Sequence, residues 1–354
     1  MRLANIGLTQ ALKSRFQSPQ FASFIAGRVV AEHRERYDVI TSEDDYDCEV
    51  VGRLRFNAEG RDDFPAVGDW VAVSPHGSGK GIIHHVLERH STLERQAVGK
   101  YAEKQIIASN VDVALIVVAL DRDFVVNRID RYLTICRGAN IEPVVVLSKT
   151  DLVSHISVAA AKQEIENRHE GVSVLAISSH SRDGYNELRG LLTAGKTYCL
   201  LGSSGVGKST LVNTLVGSTV LDTGEIGTTT NKGRHVTTHR ELVVLPDGGC
   251  LIDNPGMREV GTADAAEGLA DTFVDIAQLT HECRFRDCQH LTETGCAVKA
   301  ALAEGTIDEA SLESFQKLER EQAHYQASDA QKRSKAKQLT KRIKSAKSSK
   351  GSGR

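Results

Sequence analysis

The chain is short of long apolar runs. None of its 354 residues falls in an apolar stretch near 18 residues, so no membrane span is expected. The N-terminal MRLANIGLTQALKSRF lacks the apolar core of a secretory signal, and a cytoplasmic protein is expected. There are seven cysteines, too few and too unevenly placed for a disulfide framework, and three crowd into residues 283–296. That pattern suits a metal site in a reducing compartment. The single Trp, Trp70, reads as a core residue, not a base-stacking platform. No internal repeat is present. Acidic residues are missing from residues 331–354, which hold 10 Lys+Arg. Removing that tail leaves 34 basic against 46 acidic residues, an acidic body on which a basic tail predicts a polyanionic partner.

At 25% charged and 40% hydrophobic the composition is that of an ordinary globular protein, and the length allows two or three domains. Residues 27–95 contain GRVVAEH, CEVVGRLRF, GDWVAVS and GIIHHVLE, short strand-like runs separated by turn residues. This spacing predicts a small barrel of the OB type, with a generic sandwich as the alternative. From residue 111 the pattern changes. VDVALIVVAL reads as a buried parallel strand, RIDRYLTICRGA as a helix, then IEPVVVL as a strand, 155–168 as a helix, VSVLAI as a strand, YNELRGLL as a helix and KTYCLL as a strand. Strands alternating with helices predict an α/β domain with a parallel sheet. The organisation expected is an extension over 1–26, an OB-like barrel over 27–100, an α/β domain over 101–262, a Cys/His domain over 263–330 and a basic tail over 331–354. SLESFQKLEREQAHYQ at 311–326 adds a helix to the Cys/His domain.

LLGSSGVGKSTLVN carries Gly202, Ser203, Ser204, Gly205, Val206, Gly207, Lys208, Ser209 and Thr210, which match G-x-x-x-x-G-K-[ST] in full. Glycines let the backbone curl round phosphates with its N–H groups inward. Lys208 supplies positive charge at the β/γ-phosphates, Ser209 can ligate Mg²⁺, and the following helix presents its N-terminus to the anion. The loop is specific for nucleoside triphosphates but says nothing of the base. A base reader stands upstream. VVVLSKTDL places Ser148, Lys149, Thr150 and Asp151 after a strand, a pattern similar to the N/T-K-x-D guanine motif, with Ser148 where Asn is usual. A carboxylate at Asp151 can accept from both guanine N1–H and N2–H₂, and adenine would leave it unpaired. The Lys149 stem can cover the base. AISSH brings Ser178, Ser179 and His180 to a second strand end, similar to the S-A-K loop beside guanine, though an ordinary helix cap reads equally well from those residues. Downstream, LIDNPG fits D-x-x-G, with Asp253 toward Mg²⁺ and the Gly256 N–H toward the γ-phosphate. The order is therefore base reader, phosphate loop, metal acid, a circular permutation of the familiar order. A compact domain permits this because its termini often lie close together.

CRFRDCQHLTETGC gives Cys283, Cys288, His290 and Cys296 at C-x₄-C-x-H-x₅-C. Three thiolates and an imidazole suit a closed tetrahedral Zn²⁺ site of structural type, with His281 as a weaker rival ligand. Cys48, Cys136, Cys199 and Cys250 read as core. Arg284, Arg286, the tail and the barrel are candidate contacts for RNA phosphates.

Taken together, the barrel, the SKTD-then-GSSGVGKST order, GRHVTT, DNPG and the Cys/His cluster resemble the ribosome small subunit-dependent GTPase A (RsgA) family of circularly permuted bacterial GTPases. The resemblance covers nearly the whole chain. It implies an OB-fold, a permuted GTPase domain, a zinc domain, and GTP hydrolysis stimulated by the small ribosomal subunit during late maturation, by a protein expected to act as a monomer. Met257 follows D-x-x-G where many GTPases carry the water-orienting Gln, so slow intrinsic turnover is expected. The resemblance assigns water positioning to His235 within GRHVTTHREL. Thr237 is the candidate switch threonine on Mg²⁺, and Thr228–Thr230 are rivals. Other readings are a P-loop kinase or ATPase, an RNA-binding module with nucleotide as a structural ligand, and a GTPase acting on another subunit or RNA.

Overall fold

The computed structural model describes residues 2–96, 104–121, 124–217, 241–246, 248–253 and 266–323. His235, Thr237, Thr228–Thr230, Gly256, Met257 and the basic tail lie outside the described residues. The chain forms two compact units, Met1–Gly261 and Thr262–Arg354.

The first unit begins with two short helices, α1 (Arg2–Asn5) and α2 (Gln10–Phe16). Strands β1 (Ile25–His33), β2 (Arg36–Thr41) and β3 (Asp45–Val50) follow, then helix α3 (Gly52–Asn57) and strands β4 (Trp70–Pro75) and β5 (Lys80–Val86). β1 pairs with both β2 and β4, which closes the five strands in the order β1-β2-β3-β5-β4-β1. Closure removes the exposed edges of a small sheet and gives the OB-type barrel. Inward positions Val29, Val39, Cys48, Val71, Val73 and Ile83 fill it. Two details correct the sequence reading. RYDVIT is a strand that charged residues disguised, its buried positions alternating with half-exposed ones. The GRLRF of CEVVGRLRF, expected as strand, is α3. Its alternation fits either period, and the N–H groups of Leu54 and Arg55 turn back onto the Val51 carbonyl.

A two-stranded ribbon, β6 (Thr92–Gln96) with β7 (Lys104–Ser109), leads into the α/β region. There β8 (Val113–Ala119), α4 (Val126–Gly138), β9 (Glu142–Ser148), α5 (His155–Arg168), β10 (Ser173–Ala176), α6 (Tyr185–Leu191), β11 (Thr197–Leu201), α7 (Lys208–Val216), β12 (Glu241–Val244) and β13 (Cys250–Asp253) succeed one another. Across the sheet the order is β10-β9-β8-β11-β13-β12, parallel except for β12. Numbered from the phosphate-loop strand β11, these strands run 6-5-4-1-3-2, so that strand is central. The unbroken apolar run of β8 follows from burial on both faces. Ala114, Ile116 and Val118 join one core cluster, and Val113, Leu115, Val117 and Ala119 the other. Ala31 of β1 pairs with Glu241 of β12, which makes the barrel and the parallel strands one continuous sheet.

A buried guanidinium sits where these parts join. Arg28 of β1 is 1% exposed. It donates to the carbonyls of Gly68 (3.2 Å), Asn110 (3.3 Å) and Ile6, and to Thr197 Oγ1 (2.8 Å). It also lies 5.2 Å from the Trp70 ring centre. Trp70 is itself buried, in the core role expected of it.

The second unit contains α8 (Ala266–Thr272), α9 (Val274–Thr280), α10 (Ala297–Glu304) and α11 (309–323). Leu269, Phe273, Ile276, Val298, Leu312, Phe315 and Leu318 form its core, with Phe273 edge-on to Phe315 at 5.7 Å. No helix among the described residues is long and apolar enough to cross a membrane.

Candidate functional site

Each described nucleotide motif sits at the carboxyl end of a parallel strand, the side on which open α/β sheets hold ligands. The phosphate loop follows β11. Gly202 has φ 140°, and a Cβ there would lie 2.3 Å from the Val117 carbonyl oxygen, so no other residue fits. Gly207 caps α7 at φ 98°, where a Cβ would meet nothing, so the left-handed backbone and not crowding favours glycine. The first turn of α7 carries Lys208, Ser209 and Thr210, and a helix N-terminus offers its N–H groups to an anion. Lys208 Nζ is held at the mouth by the carbonyls of Gly202 (2.8 Å) and Ser203 (2.5 Å).

The residues expected to read the base follow β9 and β10. Ser148 is buried, and its hydroxyl lies 2.7 Å from the carbonyl of Val206 in the phosphate loop and 3.3 Å from that of Val118 in β8. The small side chain in the usual Asn position thus ties the base loop to the phosphate loop. Lys149 occupies the left-handed region at φ 57°, which turns the chain sharply and leaves Asp151 exposed at the strand end. Thr150 donates its N–H to the Ile177 carbonyl at 3.4 Å. The Ser178 hydroxyl donates to Asp151 Oδ1 at 2.6 Å and accepts from the N–H groups of His180 and Ser181, both at 3.1 Å. Ser178 is 1% exposed, so it fixes the carboxylate from inside while the other oxygen faces out. Ser179 bonds the Tyr185 hydroxyl at 2.9 Å, and His180 is exposed. SKTD and SSH are therefore joined by side-chain bonds, and SSH does not cap the following helix, whose N-cap is Gly184. Asp253 ends β13, beside β11, half-buried.

The RsgA GTPase family model matches residues 86–263. A curated relative from Opitutus terrae, named small ribosomal subunit biogenesis GTPase RsgA, is 42% identical over 336 residues, covering 92% of this chain and 90% of its own. The chain belongs to the RsgA GTPase family. A relative from Lactiplantibacillus plantarum, small ribosomal subunit biogenesis GTPase RsgA 2, is 41% identical over 92% of this chain and 90% of its own. The crystal structure of YjeQ from Thermotoga maritima superposes with a TM-score of 0.63 at 27% identity, over 84% of this chain and 98% of that one. YloQ, titled a circularly permuted GTPase, has the same fold with a TM-score of 0.60 at 23% identity, over 87% of this chain and 98% of that one. An ABC transporter model also matches residues 185–350. That span includes the phosphate loop, which P-loop ATPases share, but leaves out Asp151. As an RsgA-family protein the chain is a circularly permuted GTP hydrolase.

The RsgA-family chain also gathers its four predicted metal ligands. The ligand atoms of Cys283, Cys288, His290 and Cys296 all lie within 4.8 Å of one another. Cys283 Sγ is 3.6 Å from His290 Nδ1 and 3.9 Å from Cys296 Sγ, and His290 Nδ1 is 3.4 Å from Cys296 Sγ. Donors roughly 2.0–2.3 Å from one tetrahedral centre stand about 3.4–3.8 Å apart, so the set fits one ion. His290 reaches it through a left-handed turn at φ 59°, and Gln316 of α11 donates to the His290 carbonyl at 3.1 Å. Burial pushes the Cys283 thiol up, but the N–H groups of Val298 and Ala297 together with hydrogen bonds to Cys296 and Cys288 hold it below its usual value. His281, the rival, is exposed and outside the cluster. The other four cysteines are buried. Burial pushes Cys48 up to about 12 and Cys250 up to about 11, which makes both inert.

Two residues near the nucleotide loops escaped the sequence reading. Asp121, just beyond β8, holds Lys149 Nζ at 2.6 Å. Arg128 of α4 donates to Ser203 Oγ of the phosphate loop at 3.2 Å. Neither belongs to a motif; both act through neighbours brought close only by the parallel sheet.

Proposed function

We propose that this GTPase works on the small ribosomal subunit during its late maturation, and that the subunit stimulates hydrolysis. The observation that carries the base assignment is Asp151, just beyond β9, its carboxylate fixed by buried Ser178. Guanine offers two donors to that carboxylate and adenine none, so exclusion of ATP follows. The relatives' name, small ribosomal subunit biogenesis GTPase, supports the client.

In this reading the backbone N–H groups of Gly202–Thr210 bind the phosphates, and Lys208 stabilises charge that develops on them. Ser148, Lys149, Thr150, Asp151, Ser178, Ser179 and His180 form the base end. Ser209, Asp253 and Thr237 would hold Mg²⁺, which when bound neutralises phosphate charge, with the Gly256 N–H toward the γ-phosphate. His235 positions the attacking water, because the apolar Met257 cannot. A subunit group that reinforces His235 would explain stimulation. The S₃N donor set and its spacing support Zn²⁺ at Cys283, Cys288, His290 and Cys296, as a structural ion with no open position. Arg284, Arg286, the barrel and the basic tail contact rRNA phosphates, and the protein acts as a monomer.

The test is GTP and ATP turnover with and without purified small subunits, at two salt concentrations. Slow GTP turnover that subunits accelerate and salt suppresses is the expected result. Equal use of ATP would overturn the base assignment. Indifference to subunits would overturn the client and favour nucleotide as a structural ligand.

A further inference from the structure

We propose that Asp121 is a positioning residue for guanine, acting through Lys149. The inference rests on the GTPase reading of the base end. Lys149 follows a buried anchor, Ser148, and starts the turn in the left-handed region, so its backbone has little freedom. Its side chain has more. A lysine stem carries four rotatable bonds, and useful cover over a base requires that they be held. Carbonyl oxygens of the phosphate loop compete for such an ammonium, as Lys208 demonstrates by sitting on Gly202 and Ser203. Asp121 removes that freedom. Its carboxylate lies 2.6 Å from Lys149 Nζ, and both side chains are 30% exposed.

The position explains why a carboxylate can do this. Asp121 stands just beyond β8, the strand between β9 and β11, which carry the base loop and the phosphate loop. Leu120 donates its N–H to the Ser148 carbonyl at 3.0 Å, so the end of β8 is registered directly against the base loop. The ammonium is drawn along the line from base loop to β8, and the methylene stem lies between. Asp151 reads the donors of guanine; the Asp121–Lys149 pair sets the lid on its face. The two carboxylates therefore have separable signatures.

A half-exposed ion pair is worth about 1 kcal/mol, or roughly 5-fold in affinity. Because the stem covers the base equally before and during hydrolysis, its loss changes KM and leaves kcat unaltered. The experiment measures GDP, IDP and ADP affinity for the full-length parent, Asp121→Asn, Asp121→Glu, Lys149→Ala and the Asp121→Asn/Lys149→Ala double variant, with GTP turnover alongside. Thermal melts confirm that each variant is folded. Asp121→Asn is expected to weaken GDP and IDP by the same factor, about 3- to 10-fold, with kcat unchanged and partial rescue in Asp121→Glu. On the Lys149→Ala background the same change is expected to have almost no further effect. An Asp121→Asn variant that binds GDP like the parent would refute the inference, and so would an equal loss on the Lys149→Ala background. A parent that binds ADP as well as GDP would refute the GTPase reading itself, and the inference with it.

Discussion

Replacing Arg28 by Met tests whether the barrel and the nucleotide-binding strands are one cooperative body. The guanidinium serves three carbonyls and one hydroxyl, from the turn after α1, the loop before β4, the turn before β8, and the first residue of β11. Met keeps the aliphatic stem under Trp70 and removes every donor. Three buried acceptors, on Ile6, Asn110 and Thr197, then lose this partner, while the Gly68 carbonyl keeps the Asn110 side-chain amide at 3.1 Å; the loss is about 4 kcal/mol in all. Part of this is offset, because burial opposes the charge on Arg28 and no carboxylate is among its hydrogen-bond partners. Relief of that desolvation is worth roughly 1–2 kcal/mol, which leaves a net loss of about 2–3 kcal/mol. The assay is urea unfolding followed by the fluorescence of Trp70, the single tryptophan, which lies 5.2 Å from the group removed. With a slope of about 3 kcal/mol per molar urea the midpoint should fall by roughly 1 M. GDP should raise the midpoint of the same transition in the parent, since Thr197 begins the strand that ends in the phosphate loop. A midpoint within about 0.2 M of the parent, or a Trp70 transition indifferent to GDP, would refute the argument that Arg28 couples the two parts.

Gly202→Ala is expected to abolish measurable GTP binding, on the order of 100-fold or more, because the new methyl meets the Val117 carbonyl at 2.3 Å; equilibrium binding checks it, and near-parental affinity would show that the loop can shift. Ser178→Ala should weaken GDP by about 10-fold and leave the feeble binding of ADP as it was, since it releases Asp151 and touches nothing on the phosphates. Cys288→Ser, or chelation of the parent, should remove one equivalent of bound metal and make residues 262–354 sensitive to protease while GDP affinity in the first unit survives. Acidification should release the metal as the thiolates are protonated, with chelator-accessible metal rising as pH falls; metal retained in full well below neutral pH would count against thiolate ligation.

What could be read in the sequence was whatever lies contiguous in the chain. The phosphate loop, SKTD and the C-x₄-C-x-H-x₅-C run announce themselves because the chemistry needs several residue types within one short segment. The β8 run was legible because burial on both faces leaves no polar position. RYDVIT was not, because a barrel strand with one wet face admits Arg and Asp and looks like a loop. GRLRF misled for the opposite reason: five residues alternate in either period, and only the hydrogen bonds to Val51 decide. Ser148 departs from the usual Asn of the guanine motif, and only the structure shows its hydroxyl 2.7 Å from the Val206 carbonyl of the phosphate loop. Asp121 and Arg28 were beyond reach altogether. Their partners are 28 residues and up to 169 residues away in the chain, and nothing in either local context marks them.

The strand pairing has a further consequence for how the protein behaves when crowded. A long parallel sheet ordinarily ends in two unpaired edges, each a template for another chain. Here one end of the sheet passes through β12 into β1 and closes on itself as the barrel. The other end is β10, four residues long. Among the described residues the eleven-stranded sheet thus leaves a single terminal edge, and that edge is too short to recruit a neighbour well. Joining the barrel to the nucleotide-binding strands protects the protein from edge-to-edge aggregation during and after folding, a benefit independent of what either part binds.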